Sequence, residues 1–302
     1  MRWNIEKRIE FIETRLFWEG KISRKDLTEF FGISIPQATK DLKEYCNIAP
    51  KNIYYDRSAK LYVATENFTP NKYPPSSEKY LTRLRLSQER KDSDKFFNGP
   101  APSFYEMPKF RRLVKEEILR DLLKAIQKNE AIKIHYQSMS SPEPKMRWIT
   151  PHSLGHDGFR WHTRAFCHNR KCYVDFNLGR ISAIIESAKH NIDHAIDYEW
   201  HNEITITIAP NPKLEEGPQS CIERDYCMEG GQATINIKAA LFYYFIQNFG
   251  LKKGHEKRAG NDQQVVLVNF KEIEPKIKLL KSMSKDRISE LIKQGNIDIY
   301  IN

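Results

Sequence analysis

Two closely spaced helix-start signals constrain the N-terminal part of this chain more than any other feature. Ser23 with Asp26 three positions later forms a capping-box pattern, and Ser34 with Gln37 repeats it, with a proline in the first turn where one is tolerated. Between the two signals stands Gly32, which allows a tight turn. The sequence therefore predicts a short helix, a glycine turn and a second helix.

The flanking segments extend this pattern into a winged helix-turn-helix. An apolar face at helical spacing predicts a preceding helix that runs to about Trp18, before Gly20 stops it. Two β-rich runs, 53–55 and 61–63, surround a polar turn and predict a hairpin, which would be the wing. Inward-facing positions are expected at Ile5, Ile9, Ile12 and Leu16, at Leu27, Phe30 and Phe31, and at Ile35, Ala38, Leu42 and Tyr45. An ordinary helical bundle is the alternative for these helices.

The later helix of a helix-turn-helix enters the DNA major groove, while the wing contacts the DNA backbone. The predicted DNA-contacting residues are Gln37, Thr39, Lys40 and Lys43 on this helix, Arg57 and Lys60 on the wing, and Arg24, Lys25 and Ser34 near the helix starts. For Gln37 a local role is equally open, because the third residue of a capping box can accept a hydrogen bond from the backbone N–H of Ser34.

Length and charge place this motif in a larger chain. A chain of 302 residues exceeds what one hydrophobic core usually organises, so two or three domains are expected. The 49 basic and 39 acidic side chains give a net charge of +10, which favours a polyanionic partner. Counted along the chain, most of the basic excess lies in residues 71–190, whereas residues 191–302 are slightly acidic. The charge therefore indicates an anionic partner for the middle of the chain as well as for its start.

The rest of the chain predicts an α+β fold class. We expect a winged helix in residues 1–70, a helical linker and dimerisation segment in 71–128, a small bent β-barrel in 129–190 and an α+β dimerisation domain in 191–302. The linker helices are expected at 78–92 and 111–128, and the barrel strands at 132–136, 146–152, 158–166 and 171–176. The last domain should have strands at 204–208, 233–237, 265–268 and 297–301, and helices at 218–228, 239–249 and 285–293.

Several classes of protein are excluded by what the sequence lacks. No apolar stretch approaches the length of a membrane span and no signal-peptide core is present, so we expect a cytoplasmic protein, associated with the bacterial nucleoid, with reduced cysteines. The common nucleotide-binding and hydrolase motifs are absent, so no enzymatic activity and no cofactor are expected. His190, His194 and His201, and Cys167, His168 and Cys172, are the two loose clusters weighed for metal binding, and neither has structural zinc spacing.

A denser constellation lies on the predicted barrel strands. Its members are arginines, histidines, hydroxyls and aromatics, namely Tyr136, Ser138, Arg147, His152, Arg160, Trp161, His162, Arg164 and Arg180. Guanidinium groups bind phosphate oxygens bidentately and aromatic faces stack on bases, so this set is typical of phosphate recognition. Strand alternation would place Arg160, His162 and Arg164 on one face, with Trp161 on the other face and in the core.

The same residues carry a resemblance to a known family. The segments 134–138, 149–152, 158–167 and 176–181 resemble the WYL domain, although the signature tripeptide reads Trp161-His162-Thr163. With the winged helix and the C-terminal extension, the chain most resembles the WYL regulators of bacterial anti-phage defence loci, such as the BREX-associated repressors. The resemblance implies an Sm-like barrel that senses a nucleotide or nucleic-acid effector, and a homodimer. It implies a pocket containing Tyr136, Ser138, His152, His162, Arg164 and Arg180.

These observations predict a homodimeric transcriptional repressor that binds double-stranded operator DNA with an inverted repeat. The effector in the barrel would release or modulate DNA binding. The main alternative is an accessory protein whose middle domain holds single-stranded nucleic acid and modulates a partner. A hydrolase or nuclease is a third possibility, supported only by loosely placed histidines and aspartates.

Overall fold

A computed structural model describes residues 2–89, 102–108 and 112–300 of the chain. The chain divides into two compact units, Met1–Lys109 and Phe110–Asn302. Residues 90–92 of the first predicted linker helix, the irregular segment around residue 100 and the first residue of the second linker helix lie outside the described ranges.

The first unit is a three-helix winged helix followed by a fourth helix. In chain order its elements are α1 (Arg2–Glu19), β1 (Lys21–Ile22), α2 (Arg24–Phe31), α3 (Ile35–Ile48), β2 (Ile53–Asp56), β3 (Leu61–Ala64) and α4 (Ser77–Glu89). The three strands form an antiparallel sheet in the order β1-β3-β2, and β2 and β3 are the predicted hairpin. The winged helix-turn-helix order is therefore confirmed.

The predicted start and stop signals define the helices. The Ser23 side chain accepts from the Asp26 backbone N–H and the Asp26 carboxylate accepts from the Ser23 N–H, so this capping box is complete. Gly20 and Gly32 end α1 and α2 with φ values of 71° and 65°, the left-handed region that glycine adopts without strain. Each donates its N–H to a carbonyl of the last helical turn.

Most predicted inward positions of the winged helix are buried, but Ile5, Phe30 and Ile35 are exposed. Ile9, Ile12, Leu16, Leu27, Ala38, Leu42 and Tyr45 form the core together with Phe11, Ile22 and Ile53. Ile35 is 63% exposed because it is the first residue of α3, one turn before the helix reaches the core. Ile5 is also exposed, and Phe30, although exposed, stacks on Phe11 at 4.4 Å and packs on Phe31 at 4.8 Å between ring centroids.

The second unit begins with a helix packed on an antiparallel sheet. The helix is α5 (Glu116–Lys128), and the strands are β4 (Glu130–Tyr136), β5 (Lys145–His156), β6 (Trp161–Cys167), β7 (Cys172–Asn177) and β8 (Ile181–Lys189). They are ordered β7-β6-β5-β4-β8, so that β7 and β8 are the edges. Register shifts in the β4–β8 pair and beside Pro151 in the β5–β6 pair bend the sheet. Ile118, Leu122 and Ala125 of α5 cover its buried face.

The remainder of this unit is a mixed α/β region. Its elements are α6 (Tyr198–His201), β9 (Glu203–Pro210), α7 (Glu216–Asp225), β10 (Ala233–Lys238), α8 (Phe242–Asn248), β11 (Val265–Leu267) and α9 (Phe270–Lys293). The three strands are antiparallel in the order β10-β9-β11. The mixed α+β class is thus confirmed for the described residues. No helix among the described residues is long and apolar enough to cross a membrane.

Four sequence predictions for this unit are wrong. Residues 112–115 precede α5 as non-helical chain, and α9 is far longer than the predicted 285–293 segment. Residues 297–300 form no strand. Their backbone instead bonds to two histidine side chains, His190 at the Asp298 carbonyl and His168 at the Tyr300 N–H. Trp161 is 50% exposed rather than in the core, because it is the first residue of β6 and packs on the His156 ring at the strand end.

Candidate nucleic-acid interface and effector site

The outer surface of α3 carries cationic side chains that have no carboxylate partner. Lys40 and Lys43 are exposed, and no ion pair within the described ranges involves either ammonium group. Thr39 is half-buried and donates its hydroxyl to the Ile35 carbonyl at 2.9 Å. Since an unpaired ammonium group on a helix surface is a ready phosphate ligand, this surface suits a polyanion.

Gln37 is held by a buried ion pair and not by the helix cap. The Ser34 hydroxyl accepts from the Gln37 backbone N–H at 3.4 Å, but the Gln37 side chain donates to Asp41 at 2.8 Å. Asp41 also receives two hydrogen bonds from Arg8 of α1, at 2.6 and 3.2 Å. The alternative that Gln37 completes a capping box is therefore wrong. The pair of Arg8 and Asp41 was not predicted from the sequence. Its only trace there is one charged residue on the apolar face of each helix.

The wing and the start of α2 add further cations to this unit. Arg57 and Lys60 are exposed in the turn between β2 and β3, where the Asp56 carboxylate accepts the backbone N–H groups of residues 58 and 59. Arg24 and Lys25 are exposed in the first turn of α2, and Lys25 makes a loose surface ion pair with Glu29 at 3.6 Å. An ion pair of this kind contributes little and is easily exchanged for a phosphate.

In the second unit, the seven predicted ligand residues fall into two groups according to their partners. His152, His162 and Arg164 are engaged with carboxylates of the same unit. Tyr136, Ser138, Arg147 and Arg180 have no carboxylate partner in the part of the chain that the structure describes.

Arg164 lies at the centre of the first group. Its side chain is 5% exposed and reaches three carboxylates: Asp197 through two hydrogen bonds at 2.7 and 2.9 Å, Glu199 at 3.1 Å and Asp175 at 3.3 Å. Burial by itself lowers the pKa of Arg164, but these carboxylates raise it above the ordinary value, so the guanidinium stays charged. Asp197 and Glu199 were not predicted, because they lie beyond the sheet in the segment that leads to β9.

Asp197 also binds the second member of this group. His152 Nε2 lies 3.0 Å from its carboxylate, and the His152 ring stacks on His194 with centroids 4.6 Å apart. Burial by itself raises the pKa of Asp197, but hydrogen bonds from Arg164 and His152 lower it below the ordinary value. Asp197 therefore remains a buried anion, and it joins His152 of β5 and Arg164 of β6 to the segment before α6.

His162 and its carboxylate connect the sheet to α8. The His162 Nε2 atom lies 2.9 Å from Asp157, whose pKa burial raises but hydrogen bonds from His162 and the backbone lower to about 2. Asn248 donates its side-chain amide to the Asp157 carbonyl, and the Tyr244 ring packs on His162 at 4.7 Å. Tyr244 also donates its hydroxyl to Asp175 at 3.1 Å. The first group is thus continuous with the C-terminal α/β region.

The second group retains unused hydrogen-bonding capacity. Tyr136 accepts at its hydroxyl from the Asn177 N–H at 3.3 Å, and the Ser138 hydroxyl meets that of Ser140 at 2.9 Å. The Nε atom of Arg147 is buried and has no hydrogen-bond partner among the residues that the structure describes. No side-chain bond of Arg180 occurs among the described residues. A buried guanidinium N–H without a partner is costly unless a ligand or water satisfies it.

A half-open apolar cavity of about 590 Å³ lies in the same unit. It is lined by Arg112 and by the apolar side chains of Leu113, Val114, Leu119, Leu123, Leu154, Trp161 and Leu178. Leu178 begins the turn that ends at Arg180, so the cavity wall and the second group share a chain segment. The volume is that of a small-molecule site.

The two histidine clusters weighed for metal binding are occupied by other contacts. His190 meets the Asp298 carbonyl, and His194 lies between Asn129 and Tyr173. Burial lowers the pKa of His168 and of His194 to about 3. No group of three or more histidine, cysteine or acidic residues in the described ranges has a metal-binding arrangement.

Comparison with known proteins matches each of these regions. Three family profiles match: the winged helix-turn-helix domain of BrxR transcriptional regulators over residues 4–86, the WYL domain over 117–185, and the BrxR C-terminal dimerization domain over 203–273. One solved structure, proteasome accessory factor B/C (PafBC) of Arthrobacter aurescens, aligns with 94% of this chain and with 49% of the PafBC chain. The sequence identity is 13% and the TM-score is 0.26.

Two curated relatives align over nearly their whole length. Both are called DNA-binding transcriptional repressor CapW; one is from Escherichia coli strain KTE188 and one from Pseudomonas aeruginosa, at 38% and 37% identity. Each alignment covers 90% of this chain and 91% of the relative. These relatives are regulators, in agreement with the prediction that the chain is not an enzyme. With this identity over 90% of its length and three matching family profiles, the chain belongs to the BrxR and CapW family of WYL-domain transcriptional regulators.

Proposed function

We propose that the protein is a homodimeric, DNA-binding transcriptional repressor of an anti-phage defence locus, and that a nucleotide or nucleic-acid effector bound to its WYL region modulates DNA binding. The relatives named as DNA-binding repressors support the first part. The profile of a C-terminal dimerization domain supports the homodimer. A protein with this role works in the bacterial cytoplasm, on nucleoid DNA.

The observation that carries the DNA-binding part is the unpaired cationic surface of α3. Lys40 and Lys43 bind phosphates, while Gln37, whose amide oxygen has no partner in the described residues, reads a base edge. Asp41 orients Gln37 through the buried pair with Arg8. In a dimer the two α3 helices enter successive major grooves, so the operator is an inverted repeat.

A binding titration on the DNA upstream of the protein's own gene tests this part. We expect Lys40→Ala with Lys43→Ala to weaken binding at least about tenfold, whereas Lys51→Ala, which removes an exposed lysine outside α3, has little effect. Equal affinity of the wild type for that DNA and for a scrambled duplex would overturn the repressor proposal. A preference for single-stranded DNA of the same sequence would favour the accessory-protein alternative.

The effector part of the proposal rests on the second group. A phosphate oxygen satisfies the buried Arg147 Nε, a second guanidinium comes from Arg180, and the Tyr136 and Ser138 hydroxyls donate to the same anion. The apolar cavity beside Leu178 accommodates a base, with Trp161 in its wall. His152, His162 and Arg164 complete the predicted ligand set, but strand alternation places His162 and Arg164 on the face of β6 opposite Trp161. An anion reaches the Arg164 guanidinium there only by displacing Asp197 and Glu199.

Effector sensing is tested by the release of operator DNA. Short oligonucleotides and mononucleotides serve as probes, and the wild type should release operator in the presence of at least one of them. Arg180→Ala should keep operator affinity and lose this response, whereas Arg170→Ala, in an exposed turn, should keep both. Loss of operator binding by Arg180→Ala without any probe would show that Arg180 is structural and would contradict its assignment as a ligand residue.

A further inference from the structure

The chain that leaves the wing is fastened to α1 by a buried carboxylate. Glu13 is 1% exposed, and its two oxygens accept the backbone N–H groups of Asn71 at 2.7 Å, Lys72 at 3.2 Å and Tyr73 at 2.7 Å. The Tyr45 hydroxyl of α3 donates to the same carboxylate at 3.2 Å. Burial raises the pKa of Tyr45, so its phenol stays a hydrogen-bond donor.

A second buried side chain, Asn52, bonds to the same segment two residues earlier, at Thr69. Asn52 donates to the Thr69 carbonyl at 2.6 Å and accepts from the Thr69 N–H at 3.1 Å. The Asn71 side chain adds a bond to the Ile48 carbonyl at 3.1 Å. We call Glu13, Asn52 and the backbone of residues 69–73 the exit anchor.

The exit anchor determines where α4 starts. Two prolines, Pro74 and Pro75, follow it directly and restrict the backbone before the helix begins at Ser77. Tyr80 of α4 then packs on Trp18 of α1 with ring centroids 4.7 Å apart. A carboxylate that accepts several N–H bonds in a buried site is held far more firmly than a surface contact. The first turns of α4 therefore have a fixed direction relative to α1 and α3.

We propose that Glu13 is a positioning residue for DNA recognition, which sets the half-site spacing of the operator by fixing the direction in which α4 leaves the winged helix. This inference rests on the proposed function as a dimeric repressor. A dimer recognises an inverted repeat only when its two recognition helices are held at a separation that matches the helical repeat of DNA. If the direction of α4 were variable, each winged helix would still bind a half-site, but the dimer would lose its preference for one half-site spacing.

The experiment measures affinity of the full-length dimer for a series of inverted repeats that differ only in spacer length, and for a single half-site. We expect Glu13→Gln to weaken binding at the best spacer about tenfold, to change single half-site affinity less than about twofold, and to flatten the spacing profile. Glu66→Gln, which removes an exposed carboxylate, is the charge-matched control and should keep the wild-type profile. Hydrogen exchange of the amides of residues 71–73 reports the anchor itself and should become faster only in Glu13→Gln.

The outcomes separate this inference from the proposed function. A wild type that ignores inverted repeats overturns the proposed function, and the inference with it. A wild type with a clear spacing optimum that Glu13→Gln retains, despite faster exchange at residues 71–73, overturns the positioning role alone. Should Glu13→Gln fail to fold, Asn52→Ala replaces it, because that change removes both hydrogen bonds to Thr69 without adding a charge near the Glu13 carboxylate. An unchanged profile in Asn52→Ala, with faster exchange at residue 69, would also overturn the positioning role.

Discussion

At the scale of single residues, Arg164 faces more carboxylates than its one positive charge can neutralise. Asp197, Asp175 and Glu199 all lie within hydrogen-bonding distance of its guanidinium. Such a buried arrangement is stable only while the cation is present, because each carboxylate has given up water to reach it. Arg164 was predicted as a functional residue from its residue type and its strand. Its partners Asp197 and Glu199 could not be predicted, because they are 33 and 35 residues away in the chain.

We expect Arg164→Ala to destabilise the protein by about 3–5 kcal/mol, because it leaves Asp197 buried and without its main partner. Urea denaturation of the variant and the wild type measures this difference. Arg170→Ala removes an exposed arginine from the turn after β6 and should change stability by less than about 0.5 kcal/mol. A loss for Arg164→Ala no larger than that of this control would show that the network adds no stability.

A buried histidine gives a second residue-scale prediction. His168 Nδ1 accepts from the Tyr300 N–H at 3.1 Å, which requires its neutral form, and burial lowers its pKa to about 3 from 6.5. His190 is the charged or titratable group nearest its ring. Below pH 6.5 the unfolded chain binds a proton that the folded chain excludes, so the free energy of unfolding falls as the pH drops towards 3.

For His168 this loss should reach about 2 kcal/mol between pH 6.5 and pH 5, and His194 adds a loss of the same sign. Urea midpoints at pH 7 and pH 5 measure the sum. His168→Gln should reduce the difference in urea midpoint between pH 7 and pH 5, while His201→Gln, at an exposed position, should leave it unchanged. An equal reduction by both substitutions would contradict the assignment to His168.

At the scale of elements, the signals that allowed prediction were local. The caps at Ser23 and Gly32 and the hairpin of β2 and β3 depend on neighbouring residues only, so the sequence predicts them. Ile35 and Trp161 were misplaced because exposure at the end of an element depends on how far the element overlaps its neighbours. Likewise, the apolar alternation of residues 297–301 predicted a strand, but a strand also needs a partner edge in register.

The surface of α3 gives a prediction at this scale. Each phosphate contact releases condensed counterions, so removing one contact lowers the slope of log affinity against log salt concentration by about 0.9. We expect Lys43→Ala to show this decrease on operator and on random DNA alike, because a phosphate contact carries no sequence information. Affinity titrations at several salt concentrations measure it, with Lys51→Ala as the control. An unchanged slope for Lys43→Ala would remove this residue from the proposed interface.

At the scale of the whole molecule, residues 296–300 connect the end of α9 to the central sheet. Asn191 and His190 bond to the carbonyls of Asn296 and Asp298. Tyr300 packs on Trp148 with ring centroids 4.8 Å apart and donates its hydroxyl to the Lys189 carbonyl at 2.5 Å. These contacts join residues on both sides of position 190 within the compact unit of residues 110–302.

We expect Tyr300→Ala to destabilise the second unit by about 2 kcal/mol, because it uncovers Trp148 and removes the bond to β8. Thermal unfolding followed by tryptophan fluorescence measures this effect. Phe159→Ala, which removes an aromatic ring from an exposed position, is the matched control. Equal melting temperatures for the two variants would show that the Tyr300 contacts add no stability to the second unit.

The contacts of residues 296–300 also affect the order in which the protein matures on the ribosome. The winged helix is complete about 200 residues before Tyr300 is synthesised, and domains generally fold in that order. The central sheet, by contrast, leaves the ribosome early but keeps Trp148 and His168 uncovered until Tyr300 has emerged. A nascent chain can therefore present a folded winged helix while Trp148 and His168 of its central sheet are still uncovered.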